Sequence, residues 1–168
     1  MYVLRSAGPG DEALLFEVYA ATRKAELDLT DWDAAQREAF CRQQFLAQDR
    51  WYHEQYAGAS FDVVLVGGVP VGRLYVDRWP AEIRIVDIAL LPASCGRGIG
   101  GAVLADVLAE ADAAGLATSV HVERFNPARR LYERLGFGPV AENGPYLLLE
   151  RPCAAARTPT DSSVQPAV

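Results

Sequence analysis

An apolar segment that runs into a glycine-rich helix start constrains the fold of this chain more than any other feature. Residues 87 to 101 have the sequence DIALLPASCGRGIGG, in which a strand pattern stops at Pro92 and a helix pattern follows. Glycines carry no Cβ, so Gly96, Gly98, Gly100 and Gly101 allow an anion to approach the backbone closely. The unpaired N–H groups of a helix's first turn and the helix dipole both favour negative charge there. We therefore predict a phosphate-binding site at this strand-to-helix connection.

The same glycines also fit the dinucleotide-binding fingerprint, with the spacing Gly96-x-Gly98-x-x-Gly101, and Glu123 follows at the distance expected for a ribose-binding acid. In that fold the first glycine directly follows the strand, whereas Pro92 to Cys95 intervene here. The chain after Glu123 is also too short for the repeated strand–helix units of a second nucleotide half. A dinucleotide-binding oxidoreductase is therefore the less favoured alternative.

The composition excludes several classes of protein. A chain of 168 residues with 51% hydrophobic residues is expected to form one domain. Its three cysteines and two histidines are too widely spaced for a zinc site or a disulfide framework, so we predict no metal. It contains no apolar run long enough for a membrane span or a secretory signal, which predicts a cytoplasmic protein without a membrane partner. The net charge of −6 and the lack of a Lys/Arg cluster argue against nucleic acid binding, and an acidic surface mildly favours an amine partner.

The hydrophobic pattern predicts a mixed α+β fold. Strands are expected at residues 2–6, 61–66, 69–76, 82–91, 117–123, 138–141 and 146–150. Helices are expected after the break at residues 8–11, at 33–56, at 99–114, and from Asn126 as N-cap to Gly136. The order strand, helix, strand around residues 99–114 requires a right-handed crossover, and therefore a parallel pair of 82–91 with 117–123. Residues 1–150 would form the domain, and residues 151–168, rich in Ala, Pro, Thr and Ser, a disordered tail.

Two segments resemble signature motifs of the GNAT superfamily of acyl-CoA-dependent N-acyltransferases. The glycine-rich loop is similar to the family's Gln/Arg-x-x-Gly-x-Gly/Ala motif, with Cys95 where the family usually has Gln or Arg. Residues 126–137, NPARRLYERLGF, resemble Asn-x-x-Ala-x-x-Leu-Tyr-x-x-x-Gly-Phe, although the alignment puts Phe125 in the family's asparagine position. The resemblance implies a GNAT-type fold, with a mostly antiparallel central sheet whose one parallel strand pair splays around the acyl-CoA site.

The resemblance also implies a reaction, the transfer of an acetyl group from acetyl-CoA to an amine by direct attack on the thioester. Tyr132 matches the tyrosine that protonates the leaving thiolate in many members. Backbone N–H groups of Ile88, Ala89 and Leu90 would hold the thioester carbonyl and the pantetheine. The residues expected around the coenzyme pyrophosphate are Cys95, Gly96, Arg97, Gly98, Ile99, Gly100 and Gly101. Asn126 would add a coenzyme contact or act only as a helix cap.

Transfer to an amine also requires that the amine be neutral. At a pKa of about 10.4 an alkylamine is almost fully protonated at neutral pH, so a base or a desolvating pocket is needed. The candidate bases are Asp87, on the strand that leads to the glycine loop, and His121 and Glu123, which alternate with valines and so share one face of the next strand. Asp87 could instead form a structural ion pair with Arg73 or Arg84.

Two functional interpretations remain open beside the oxidoreductase. The favoured one is a cytoplasmic N-acetyltransferase whose acceptor is an amine on a small molecule or a peptide N-terminus. The other is a non-catalytic sensor that binds acetyl-CoA without turnover. The sequence does not identify the acceptor, and the exposed sheet ends expected of a small domain leave a homodimer open.

Overall fold

One seven-stranded sheet organises residues 1–157, the part of the chain that the computed structural model describes. The strands are β1 (Tyr2–Ser6), β2 (Ser60–Val66), β3 (Val69–Arg78), β4 (Glu82–Leu90), β5 (Ala117–Glu123), β6 (Gly138–Asn143) and β7 (Tyr146–Arg151). Their order in the sheet is β1-β2-β3-β4-β5-β7-β6, and every neighbouring pair is antiparallel except β4 with β5. The mixed α+β architecture and its single parallel pair were both predicted, and the structure confirms them.

Four α-helices connect the strands within the described residues: α1 (Glu12–Leu27), α2 (Ala34–Gln55), α3 (Ile99–Ala114) and α4 (Arg129–Arg134). Helix α2 begins with a capping box, in which the Gln36 backbone N–H donates to the Asp33 carboxylate and the Asp33 N–H donates to the Gln36 side chain, both at 2.9 Å. Helix α3 ends at Gly115, whose φ of 70° is the left-handed conformation that favours glycine.

Different helices pack against the two faces of the sheet. Helix α3 covers one face with a buried stripe, and this core also includes alternate residues of the strands, such as Leu74 and Ile85. The stripe consists of Val103, Leu104, Val107, Leu108 and Ala111. Helices α1 and α2 cover the other face, where a smaller cluster forms around Tyr19 and Phe45. Arg73, Asp87 and other polar strand residues therefore lie beneath α1 and α2 rather than in the main core.

Strand β4 carries an extra residue opposite β3. Tyr75 pairs with Asp87 and Val76 pairs with Ile85, so Val86 has no partner in this ladder. Such a β-bulge interrupts the strict alternation of side chains along a strand. Ile83 and Ile85 face α3, and the bulge then turns Asp87 towards the α1–α2 face, where it meets Arg73.

The parallel pair is short. Residues 82–85 of β4 pair with residues 117–120 of β5, and beyond Ile85 and Val120 the two strands no longer hydrogen-bond to each other. On the edges where β4 and β5 face each other, the backbone N–H and C=O groups of their last residues are therefore not hydrogen-bonded to the opposite strand. This splaying of the parallel pair agrees with the predicted fold.

Two expectations at the C-terminal side need correction. Helix α4 begins at Arg129, not at Asn126, because the Asn126 side chain first accepts the Ala128 N–H at 2.9 Å and stabilises a turn that precedes the helix. Strand β7 extends through Arg151, one residue past the expected strand end, because Arg151 is buried and bonded to Asp112 of α3 at 2.8 and 2.9 Å. Residues 158–168 of the predicted tail lie outside the described residues.

Candidate active site

A groove of about 710 Å³ runs along the splayed end of β4 and the start of α3. Gly96 and Gly98 have φ values of 71° and 79°, a backbone conformation that strongly favours glycine. The predicted loop and strand residues that line the groove are Ile88, Ala89, Leu90, Cys95, Gly96, Gly98, Gly100 and Gly101. Arg97 and Ile99 instead line a smaller depression beside Tyr2 and Val66, so of the predicted loop residues these two have side chains outside the groove.

The backbone of the loop fits a phosphate group. Helix α3 has no side-chain cap at Gly98, and its first internal hydrogen bond runs from the Ala102 N–H to the Gly98 carbonyl at 3.0 Å. The N–H groups of residues 96–101 consequently donate to no protein group within the described residues. A cluster of free N–H groups at the positive end of a helix dipole is the chemistry that an anionic pyrophosphate requires.

A second cavity of about 230 Å³ lies on the other side of the splayed strands. Helices α1 and α2 form its roof, and β4, β5 and the start of β7 form its floor. The predicted residues that line it are Asp87, Ile88, Ala89, His121, Glu123, Asn126 and Tyr132. All four candidate catalytic side chains therefore meet in one cavity. Asn126 lies here rather than in the groove, and its side-chain oxygen already accepts the Ala128 N–H.

The groove and the cavity meet at Tyr132. Both are lined by Ile88, Ala89, Ala128 and Tyr132. The Tyr132 ring is 4% exposed and packs edge-on against Phe137, with 5.5 Å between the ring centroids. Its hydroxyl donates to no protein group within residues 1–157. Burial, and secondarily the charge of Asp87, raises the pKa of Tyr132 above its ordinary value, so the phenol remains protonated and available as a donor.

Asp87 is held by a buried arginine. Arg73 on β3 is 3% exposed, and its Nη2 lies 2.6 Å from the Asp87 carboxylate and 3.1 Å from the Gln48 side-chain oxygen on α2. The structural pairing that we considered for Asp87 is thus present with Arg73 and not with Arg84. The pairing does not remove Asp87 from the site, because the residue still lines the cavity.

His121 contacts a second arginine. Arg84 Nη1 lies 3.1 Å from His121 Nδ1, and burial together with the Arg84 charge lowers the pKa of His121 below its ordinary value of about 6.5. His121 is therefore neutral at neutral pH. Its role as a base stays a prediction. The contact with Arg84 is relevant to this role because it involves Nδ1, one of the two ring nitrogens.

Glu123 pairs with the roof of the cavity. Arg23 on α1 lies 3.4 Å from the Glu123 carboxylate and 3.2 Å from Glu26, through the same Nη1 atom. Glu123 is 40% exposed, so this ion pair is accessible to solvent. The pair connects α1 to β5 across the mouth of the cavity.

The sequence placed the helical pair between residues 11 and 56 over the acceptor side, but it did not identify the residues that these two helices contribute. Tyr19, Arg23, Gln48 and Tyr52 all line the cavity. Burial, followed by the charge of Asp87, raises the pKa of Tyr52 above its ordinary value. Helix α2 carries aromatic residues on several faces, so no pattern along it singles out Tyr52. Arg73, which the sequence offered as one possible partner of Asp87, is the one charge within the apolar run of residues 69–76.

Neither a metal-binding cluster nor a membrane-spanning helix is present in residues 1–157. No group of three or more His, Cys, Asp or Glu side chains there is arranged to hold a metal ion. None of the helices in this range is both long and apolar enough to cross a membrane.

Solved structures of acetyltransferases share this fold. The PaiA N-acetyltransferase from Thermoplasma acidophilum, solved in complex with coenzyme A, superposes with a TM-score of 0.68 at 16% identity, covering 90% of this chain and 99% of that one. An acetyltransferase from Thermus thermophilus gives 0.66 at 21% identity, with 90% and 97% covered. The ribosomal-protein-S18-alanine N-acetyltransferase from Escherichia coli gives 0.59 at 18% identity, with 90% and 94% covered.

The sequence comparisons identify the family. No curated protein matches the chain. Residues 26–137, more than half of the chain, match the family described as the Acetyltransferase (GNAT) family. This range includes the glycine loop, both splayed strands and Tyr132. The chain therefore belongs to the GNAT acetyltransferase family and is an acyltransferase.

Proposed function

We propose that the protein transfers an acetyl group from acetyl-CoA to an amine by direct attack of the amine on the thioester. The observation that carries this proposal is the meeting of two cavities at Tyr132: an anion-binding groove on one side and a smaller cavity with titratable side chains on the other. A thioester in the groove would present its carbonyl carbon to a nucleophile in the cavity. The structural neighbours named as N-acetyltransferases support an amine as that nucleophile.

The groove would bind and orient acetyl-CoA. The free N–H groups of the loop would hold the pyrophosphate, with glycines at the positions of closest approach. Farther along the groove, residues 88–90 lie beyond the end of the β4–β5 pairing, so those of their backbone N–H groups that point towards β5 would be free to hold the thioester and the pantetheine. Donors of this kind stabilise the charge that develops on the carbonyl oxygen by about 3 to 4 kcal/mol each.

The cavity supplies the proton transfers. The C–S bond breaks as the C–N bond forms, and Tyr132 donates a hydrogen bond to the departing sulfur. A thiol of pKa about 8.5 is stabilised as a leaving group by such a donor. The ammonium proton of the acceptor leaves towards Asp87 or Glu123, either directly or through water. Both carboxylates line the cavity, and each is paired with an arginine.

Coenzyme release with a panel of amines tests the proposal. Purified protein is incubated with acetyl-CoA and mixed primary amines, and free thiol is measured together with the mass of the acetylated product. We expect acetyl-CoA-dependent release that requires an amine. Binding of acetyl-CoA in calorimetry without release for any amine would instead support the non-catalytic sensor.

A further inference from the structure

Arg84 is held rigidly beside the cavity. Its Nε donates to the Ser119 hydroxyl at 2.6 Å and its Nη2 to the Glu82 carboxylate at 2.7 Å, and its guanidinium lies over the Trp79 ring, 4.9 Å from the centroid. Only 9% of Arg84 is exposed. The remaining nitrogen, Nη1, lies 3.1 Å from His121 Nδ1. The position of Arg84 is therefore fixed independently of the histidine.

This contact determines which nitrogen of His121 carries the proton. A guanidinium has donors and no acceptor, so His121 Nδ1 must accept the hydrogen bond and cannot bear a hydrogen. A neutral imidazole has one N–H and one lone pair. The lone pair is thus occupied by Arg84, and the hydrogen lies on Nε2.

Nε2 is the ring nitrogen that remains for a ligand in the cavity. His121 lines the cavity and Arg84 does not, and Arg84 already occupies Nδ1, so Nε2 is the nitrogen available to an acceptor there. The charges that act on the ring are those of Arg84 and Glu82 on β4. The other charged residues that line the cavity are Arg73 of β3, Asp87 of β4, Glu123 of β5, and Arg23 and Glu26 of α1. On β7 the residue that pairs with His121 is the apolar Leu148.

We propose that Arg84 fixes His121 as a hydrogen-bond donor whose Nε2–H recognises an oxygen atom of the acceptor, a carbonyl or hydroxyl next to the reacting amine. This assignment rests on the proposed acetyl transfer. The amine lone pair is the nucleophile, and a donor directed at it would weaken the attack, so an oxygen is the productive partner of Nε2–H. His121 is then a specificity-determining residue, Arg84 is its positioning residue, and proton removal falls to the carboxylates.

The tautomer can be measured directly, because the chain has only two histidines, His53 and His121. Nitrogen-15 NMR of the unmodified protein distinguishes a protonated Nε2 from a protonated Nδ1, and a pH titration gives the pKa of each ring. We expect His121 in the Nε2–H form with a pKa below 6.5, and a pKa closer to the ordinary value, with mixed tautomers, in Arg84→Met. A predominant Nδ1–H form in the unmodified protein would overturn the assignment without any assay of activity.

The recognition step is tested with matched acceptors that differ in one oxygen. Ethanolamine is compared with propylamine, and alaninol with 2-aminobutane, by steady-state acetylation. The value of kcat/KM is expressed on the concentration of neutral amine, because the oxygen also lowers the pKa of the amine. We expect kcat/KM to favour the oxygen-bearing member by about three- to tenfold, the contribution of one hydrogen bond, mainly through KM. The ratio should fall to about one in His121→Phe and in His121→Leu, and should persist in the control His53→Phe.

The outcomes separate the two proposals. Equal rates within each pair for the unmodified protein, or a ratio that survives in both His121 variants, would contradict the recognition of oxygen while leaving acetyl transfer intact. If no amine of either kind is acetylated although acetyl-CoA binds, the proposed function itself fails, and the recognition step fails with it.

Discussion

Tyr132 lies where the groove beside the glycine loop meets the cavity beneath α1 and α2, and its burial determines how it can act. The raised pKa means that its phenol is a poorer acid than an exposed tyrosine. Complete transfer of its proton to a thiolate of lower pKa is therefore unfavourable at rest. A hydrogen bond that strengthens as negative charge develops on sulfur needs no such transfer, and it acts only in the transition state.

Tyr132→Phe is expected to lower kcat and kcat/KM together by roughly ten- to a thousandfold. The ring would keep its contact with Phe137, so calorimetry should give an unchanged affinity for acetyl-CoA. Tyr56→Phe is a matched control, because Tyr56 lies on the roof side next to α2 and does not line the cavity. Turnover of Tyr132→Phe equal to that of the control would leave Tyr132 with a packing role alone.

At the scale of elements, the glycines at the start of helix α3 meet two requirements. One is a backbone with positive φ, and the other is space for a ligand close to the backbone. Gly98 must adopt a positive φ, so any replacement there strains the backbone whether or not a ligand is present. Gly100 has no such constraint, and an added Cβ would meet only the Leu90 side chain at 3.8 Å. Gly100 is therefore the position at which ligand approach can be tested separately from folding.

Gly100→Ala should weaken acetyl-CoA binding by about tenfold, the loss of one hydrogen bond to a charged group. The melting temperature should stay the same or rise, since alanine favours a helix over glycine. Gly10→Ala provides the control, because a Cβ there meets nothing within 4 Å and Gly10 lines neither cavity. An affinity in Gly100→Ala that matches the control would argue against close approach of a phosphate at this turn.

At the scale of the whole molecule, the burial of His121 and its contact with Arg84 make the stability of the fold depend on pH. The pKa of His121 is lower in the folded protein than its ordinary value of about 6.5, so the unfolded chain binds a proton more readily. By linkage, this stabilising contribution is present above pH 6.5 and is lost as the pH falls towards the folded-state pKa.

His121→Asn should remove this part of the pH dependence. Melting temperatures of the unmodified protein and the variant are compared from about pH 8 to about pH 5. We expect the unmodified protein to lose more stability than the variant as the pH falls below about 6.5. Parallel curves would show that the imidazole titrates alike in the folded and unfolded chains.

The fold was largely predictable because its signals are local. Proline and glycine mark the strand ends, the stripe of α3 has clean helical spacing, and strand–helix–strand order leads to the parallel pair. The helix boundary at Arg129 was not predictable, because Asn126 satisfies a turn as readily as a helix start.

The site was predictable only on its sheet side. The alternation of β5 correctly placed His121 and Glu123 together, and both line the cavity with Asp87 and Tyr132. Arg73 was one of the two partners that the sequence left open for Asp87, but the partners of His121 and Glu123 were not predictable, because Arg84 and Arg23 reach them through tertiary contacts on other elements. The pairing of an arginine with a histidine nitrogen depends on side-chain geometry that strand spacing does not determine.

The extra residue at Val86 interrupts the alternation of sides along β4. Deleting Val86 would restore strict alternation, with Ile85 facing α3, Asp87 facing α1 and α2, and Ile88 facing α3, so both halves of the strand would keep their present sides. We expect the deletion to keep Asp87 beside Arg73 and to change the melting temperature by only about 2 to 4 °C, measured against Val86→Ala as the control, whereas a loss of about 10 °C or more would show that Asp87 had left its arginine. For the same reason, an alignment with a distant relative whose strand is regular needs a gap at Val86, because without it Asp87 would be matched to an apolar core position and the acceptor sites would be compared across the wrong side of the sheet.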